Sequence, residues 1–327
     1  MELRLDSLLL GDSAKVLKEI PSGVIDLVMT SPPYADNRKL AGAYHGWPID
    51  RYVEHFLPIT EQLKRVLKPT GSFILNIKER AADGERQTYV LELILALRKQ
   101  GWLWTEEYIW CKSNCYPGKW PNRFRDSWER CLHFTLSKGF KMRQDAVMVL
   151  VGDWAKSRLK NLSETDKGRD ESKVGSGFGK NVSNWIGREM VYPSNVLHLP
   201  TECSNREHSA TFPVALPEWF IKLLTDEGDT ILDPFMGSGT SARAAVNLNR
   251  HYVGVELSPE YHRLSEIAVA EAVALAERVR GSRNGRGHAG EGNRGELREL
   301  SFTDHCERQR EIQGSARAAI AKALGQP

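Results

Sequence analysis

Two stretches of the sequence hold residues in arrangements suited to chemistry. The first is Ser31-Pro-Pro-Tyr34, directly after the apolar run Val24-Ile-Asp-Leu-Val-Met29. A hydroxyl, carbonyls held by rings that fix φ, and a phenol make a stiff set of hydrogen-bonding groups at a strand's end. The second is Asp233-Pro-Phe-Met-Gly-Ser-Gly-Thr240, where an apolar strand feeds a helix. Gly237 and Gly239 let the backbone approach a ligand closely. Glu256, 23 residues after Asp233, ends the next strand with a carboxylate able to accept both hydroxyls of a ribose. A carboxylate and a bulky ring ahead of the glycines disfavour a dinucleotide and suit an adenosyl ligand with a charged amino-acid end. S-adenosylmethionine is therefore the expected cofactor, in preference to NAD. The competing readings are a tight packing turn for Gly-x-Gly and a proline-broken strand end for Ser-Pro-Pro-Tyr.

The elements that must position these groups alternate. Leu3–Gly11, Val24–Met29, Ser72–Ile77, Leu103–Lys112 and Cys131–Leu136 read as strands, with helical spacing over Ser13–Ile20, Arg51–Leu67 and Gln87–Gln100. Lys68-Pro-Thr-Gly71 reads as the stop after the second helix. From about residue 156 to 191 the pattern dissolves into charged and Gly-rich sequence, an excursion from the sheet. Order returns with a helix at Glu218–Leu224, strands at Asp229–Asp233 and His251–Glu256, and helices at Ser241–Leu248 and Pro259–Arg280. Such alternation predicts an α/β protein with a mostly parallel sheet. Beyond Gly281 a Gly- and Arg-rich linker leads to a short amphipathic helix near Ile312–Leu324, to which no function is assigned.

The chain has 327 residues, 41% of them hydrophobic, which is enough for a sizeable core. No run approaches the roughly 18 apolar residues of a membrane span, and the charged start MELRLDSLLLGD has no leader pattern. A cytoplasmic protein is expected. Five cysteines at irregular spacing read as reduced thiols. Cys111, Cys115, Cys131 and His133 match zinc-ligand spacing poorly, and no metal is expected. The net charge is only +3, but between Cys111 and Arg143 eight Lys or Arg face two acids and are interleaved with Tyr116, Trp120, Phe124 and Trp128. Cations beside flat rings suit a phosphate backbone and exposed bases, although a solvated surface with aromatics turned inward has the same composition.

Ser31-Pro-Pro-Tyr34 together with Asp233-Pro-Phe-x-Gly-x-Gly239 resembles the amino-methylating DNA methyltransferases of the β-class order: catalytic tetrapeptide, target-recognition region, cofactor motif. Ser-Pro-Pro-Tyr is similar to the N4-cytosine branch, where adenine-N6 enzymes more often show Asp or Asn first. The resemblance covers roughly residues 5 to 275. It implies a Rossmann-like S-adenosylmethionine-dependent methyltransferase fold with a seven-stranded, mostly parallel, circularly permuted sheet and an inserted target-recognition region. The Asp233 strand would be first, the Glu256 strand second and Ser7–Asp12 third. Residues 1–112 would form the catalytic half, 113–200 the recognition region with sheet-completing strands, 201–280 the cofactor half, and 281–327 the linker and terminal helix.

The resemblance assigns the roles. The amine on cytosine has its lone pair delocalised into the ring, and acceptors on its N–H groups favour the pyramidal form that can attack a methyl group. Ser31 Oγ and the Pro32 carbonyl are the candidate acceptors, made rigid by Pro32 and Pro33, because preorganised dipoles stabilise best. Tyr34 would stack on the flipped-out base. Asp12 would face the adenine amino group or cap the helix after it. The cofactor set is Asp12, Asp233, Pro234, Phe235, Gly237, Ser238, Gly239, Thr240, Glu256 and Leu257. His208, Thr211 and Phe212, in His208-Ser-Ala-Thr-Phe-Pro213, would close over the methionine end. Lys119, Arg123, Arg125, Lys173 and Lys180 are the candidate DNA contacts, with Gly175-Ser-Gly-Phe-Gly179 a loop or linker among them. Carbon-5 methylation lacks its Pro-Cys pair here. The implied partner is double-stranded DNA, with a cognate restriction endonuclease sharing the site but forming no stable subunit. Adenine-N6 methylation, methylation of a protein amide, and a nucleic-acid-binding module with a vestigial cofactor pocket are the alternatives.

Overall fold

The computed structural model describes residues 3–35, 46–115, 118, 122–164, 185–201 and 212–284. Twelve strands follow chain order: β1 (Ser7–Leu10), β2 (Ile25–Thr30), β3 (Leu67–Ile77), β4 (Ala81–Ala82), β5 (Glu85–Arg86), β6 (Leu103–Lys112), β7 (Trp128–Thr135), β8 (Val149–Leu150), β9 (Met190–Val191), β10 (Val196–Leu199), β11 (Thr230–Asp233) and β12 (His251–Glu256). The α-helices are α1 (Ser13–Val16), α2 (Tyr52–Val66), α3 (Tyr89–Lys99), α4 (Asp153–Lys160), α5 (Ala215–Leu224), α6 (Thr240–Asn247) and α7 (Pro259–Asn284). β4–β5 and β8–β9 are isolated two-stranded ribbons.

The main sheet runs β1-β12-β11-β2-β3-β7-β6-β10. Only β7 runs against its neighbours β3 and β6; the other pairings are parallel. The sheet therefore has eight strands where seven were expected. The additional one is β10, a four-residue strand that pairs with β6 from Val196↔Ile109 to Leu199↔Lys112. Four residues following a polar stretch are too few to show a period. A second difference lies at Lys68-Pro-Thr-Gly71. This segment ends α2 as expected but lies inside β3, where the register to β2 shifts between Ile25↔Leu67 and Leu27↔Ser72.

Both faces of the sheet are covered, so its central strands are mostly apolar; every residue of β2 is buried, including Asp26 and Thr30. Alternating side chains divide between two cores. Val28, Phe73 and Leu75 join Phe56 and Leu63 of α2 and Leu93 of α3. Leu27, Met29 and Ile74 join Phe220 of α5 and Ala242 of α6 on the other side. Each fully buried large apolar side chain contributes about 1.5–3 kcal/mol, which makes this sandwich a rigid base for the loops at its edge.

Candidate active site

The carboxyl ends of β1, β12, β11 and β2 lie side by side, and the strand order reverses between β11 and β2: the chain proceeds from β11 to β12 on one side and from β2 to β3 on the other. Open parallel sheets bind ligands at such a reversal. Both sequence motifs leave their strands there, about 200 residues apart in the chain and adjacent in space, with Leu232 paired to Val28.

A buried carboxylate locks the two motifs together. Asp233 is 2% exposed. Its oxygens accept from the Thr30 hydroxyl at 2.6 Å, the Ser241 hydroxyl at 2.6 Å and the Phe235 amide at 3.0 Å. Burial raises its pKa to about 6, while the donors from Ser241 and Thr30 pull the other way. Asp233 thus shapes the turn and joins it to the tetrapeptide's strand. Pro234 is fixed in turn by the Ser13 hydroxyl on its carbonyl.

The loop that follows is open to a ligand. Phe235 is half-buried, stacked 6.1 Å from Phe56 and edge-on to Trp47 at 6.0 Å. Gly237 and Gly239 have φ of +55° and +89°, values costly for any side chain. At Gly239, the residue before α6, a Cβ would also lie 3.1 Å from the Ser265 backbone. Gly237 donates its amide to Glu256 Oε2 at 2.7 Å, and Ser258 donates to Oε1 at 2.8 Å. Each oxygen of that half-buried carboxylate keeps a further lone pair. Leu257 beside it is 49% exposed, an apolar face at the rim. Asp12 caps α1 through Ala14 N at 2.9 Å, and Gly11 N bonds Glu256 O at 2.8 Å. Ser238 is half-buried and Thr240 buried.

This donor set fits S-adenosylmethionine. Two carboxylates, Asp12 and Glu256, stand at the carboxyl ends of β1 and β12, and residues 233 to 242 contain no Lys or Arg. A pyrophosphate needs cations or converging amides; hydroxyls, amines and a sulfonium are matched by acceptors.

The tetrapeptide is held as stiffly. Pro32 is buried, and Ser31, Pro33 and Tyr34 are half-buried. The Pro33 carbonyl accepts from the Tyr52 hydroxyl at 3.0 Å. The Tyr34 hydroxyl donates to Glu129 Oε2 at 2.7 Å, and Glu129 Oε1 pairs with Lys112 Nζ at 2.5 Å. Burial first and the Glu129 charge second push the Tyr34 phenol well above the ordinary range. Thr30, Ser241, Tyr52, Glu129 and Lys112 were not singled out as site residues from the sequence. Only Thr30 had a signal, its place directly before the tetrapeptide.

Lys112 also borders a cleft of about 370 Å³ lined by Asn114, Arg123, Phe124, Arg125 and Thr201. Phe124 is 94% exposed. Arg125 donates to the Cys115 carbonyl at 2.7 Å. Asn114 Oδ1 accepts from Thr201 N at 2.6 Å, fastening the ends of β6 and β10. Phe212 is half-buried against the core beneath α5. Lys119, Lys173, Lys180, His208 and Thr211 lie outside the described residues, as does Gly175-Ser-Gly-Phe-Gly179. Among the described residues no group of His, Cys, Asp or Glu could hold a metal, and no helix is long and apolar enough to cross a membrane.

Known proteins share this arrangement. The chain is 29% identical over 278 residues to the type II methyltransferase M.PvuII of Proteus hauseri, covering 78% of this chain and 81% of that protein. It is 30% identical over 257 residues to M.BglII of Bacillus subtilis, covering 77% of this chain and 65% of that one. In fold it matches the structure of the cytosine-N4-specific PvuII DNA methyltransferase with a TM-score of 0.61 at 24% identity, over 84% of this chain and 93% of that one. It also matches a DNA modification methylase of Thermus thermophilus, solved in complex with S-adenosyl-L-methionine, with a TM-score of 0.52 at 24% identity, over 81% and 95% of the two chains. Residues 25–267, from the strand that carries Ser31 through the helix behind Glu256, match the model of the amino-directed N6 and N4 DNA methylases, and the chain belongs to that DNA methylase family.

Proposed function

We propose that this DNA methylase transfers a methyl group from S-adenosylmethionine to the N4 amine of cytosine in duplex DNA, as the modification enzyme of a restriction pair. The observation that carries the reading is the latch between Thr30 and Asp233, which sets a serine-type tetrapeptide beside the glycine loop. The relative described as cytosine-N4-specific supports the choice of base.

Glu256 would accept the ribose hydroxyls, Leu257 and Phe235 would bound the adenine, Asp12 would meet its amino group, and Gly237, Ser238, Gly239 and Thr240 would form the floor. When bound, the cofactor supplies an electrophilic methyl group on a sulfonium. The protein's part is to hold the target amine with its lone pair free. Ser31 Oγ and the Pro32 carbonyl accept the two N–H groups, and the fixed φ of both prolines keeps these acceptors in place without reorganisation. The Tyr34 ring offsets part of the few kcal/mol spent in flipping the base. Residues 113–200 would read the DNA, with the Arg123 and Arg125 edge of the cleft on the phosphates.

The test is transfer of labelled methyl to duplex DNA. Ser31→Ala is expected to lower kcat about 100- to 1,000-fold, the scale of losing one preorganised polar partner, while calorimetry shows unchanged cofactor affinity. Full activity in Ser31→Ala would remove Ser31 from the chemistry.

A further inference from the structure

In Arg123-Phe-Arg-Asp126 a ring stands between two guanidinium groups, and it is 94% exposed, more than any other large apolar side chain among the described residues. A single apolar residue at a surface needs no explanation by itself. This one is held in a defined place. Arg125, directly after the ring, donates to the Cys115 carbonyl at 2.7 Å, behind β6. Asp126 accepts from Arg86 of β5 at 2.5 Å and pairs with Lys78, behind β3, at 3.5 Å. The chain beside the ring is thus tied to three separate segments while the ring itself packs on nothing.

The surroundings name the occupant. Arg123, Arg125 and Lys112 line the same cleft as Phe124, and cations around an apolar ring match a polyanion that carries flat apolar faces inside it. The cleft also adjoins the tetrapeptide. Lys112 Nζ pairs with Glu129 Oε1 at 2.5 Å, and Glu129 Oε2 accepts from the Tyr34 hydroxyl at 2.7 Å, so a single carboxylate separates the cleft from Tyr34. A nucleotide swung out toward Tyr34 leaves a gap in the duplex, bounded by the faces of the neighbouring base pairs. Closing that gap is what draws the nucleotide back. Tyr34 is half-buried with its hydroxyl held by Glu129, so it can meet the flipped base but not fill the gap. An apolar side chain entering between base steps keeps such a gap open, and a base stacks on an aromatic ring whatever the sequence.

We propose that Phe124 enters the base stack at the place vacated by the target nucleotide, with Arg123 and Arg125 on the phosphates beside it, and so holds the flipped state open. This role rests on the reading of a methylase that acts on a base flipped from duplex DNA, but not on which base is methylated.

The experiment compares two oligonucleotide duplexes that carry the methylated sequence, mapped beforehand by sequencing DNA modified by the enzyme. One is fully paired; in the other the target nucleotide lies opposite an abasic site, which makes it cheap to flip. Phe124→Ala is expected to lower kcat/KM for the paired duplex about 10- to 100-fold, the scale of losing one aromatic stacking partner. On the abasic duplex the same variant is expected to stay within about threefold of wild type, because little unstacking remains to be offset. Phe124→Trp, which keeps a flat ring, is expected to stay within about threefold of wild type on both. The melting temperature and the KM for S-adenosylmethionine are expected to be unchanged in both variants. An equal loss on the two duplexes, or no loss on either, would overturn the proposal and leave the ring to a contact with another protein. A wild-type enzyme that methylates no duplex DNA would instead defeat the function reading, before any variant is compared.

Discussion

Replacing Asp233 by Asn removes a charge from the latch that joins the two motif strands and leaves its shape. Asp233 titrates near 6 in the folded protein because burial disfavours its ionised form, against an ordinary 3.8. The folded state therefore holds this proton more tightly than the unfolded chain. Stability from this group is highest below 3.8, falls as pH rises toward 6, and is level above that. A difference of about two pKa units corresponds to about 3 kcal/mol at roughly 1.36 kcal/mol per unit, of which about 2 kcal/mol falls between pH 4 and 7. Asn has no proton to lose. The Asn amide oxygen serves Thr30 and Phe235 N, and Ser241, 3.4 Å from the Met29 carbonyl, has a second acceptor to donate to. Urea unfolding of both proteins at pH 4, 5, 6 and 7 gives the difference in stability at each pH, in which every other titrating group cancels. The variant is expected to gain about 2 kcal/mol on wild type across that range. A flat difference would show that water reaches the carboxylate, and the latch as described would be refuted.

Two further outcomes follow from the site. Glu256→Ala removes the acceptor for the Gly237 and Ser258 amides and is expected to weaken S-adenosylmethionine binding about 10- to 100-fold by calorimetry; unchanged affinity would take Glu256 off the ribose. Arg123→Gln and Arg125→Gln are each expected to reduce the slope of log DNA affinity against log salt by about 0.9, whatever the sequence of the duplex; an unchanged slope would take that residue off the phosphates.

Much of the scaffold was legible because local signals agree with the fold. The bounds of β6 at Leu103–Lys112 and of β12 at His251–Glu256 are those read from the sequence, since turn residues flank both runs. The placement of β1, β12, β11 and β2 was legible only through the motif order, which no local period encodes. β10 was missed because four residues carry no pattern. The helix read over Ser13–Ile20 is a short α1 followed by a 3-10 turn at Leu17–Glu19. At the site, the glycine loop announces itself by composition. The polar partners of the tetrapeptide do not: Glu129 lies 95 residues from Tyr34, and its neighbours in sequence, Trp128 and Arg130, resemble any strand exposed on one face. A polar partner across a sheet leaves no mark in either segment until the strands are paired.

The glycine loop and the tetrapeptide also differ in how firmly sequence constrains them. Gly239 is forced by a positive φ and by the closeness of Ser265, so any other residue there disturbs α6. Ser31 is half-buried and carries no such backbone constraint.

The central claim is met most directly by reacting the purified protein with S-adenosylmethionine and duplex DNA, digesting the product to nucleosides and weighing them. N4-methylcytosine, absent from a parallel Ser31→Ala reaction, is the expected result; N6-methyladenine without N4-methylcytosine would contradict it.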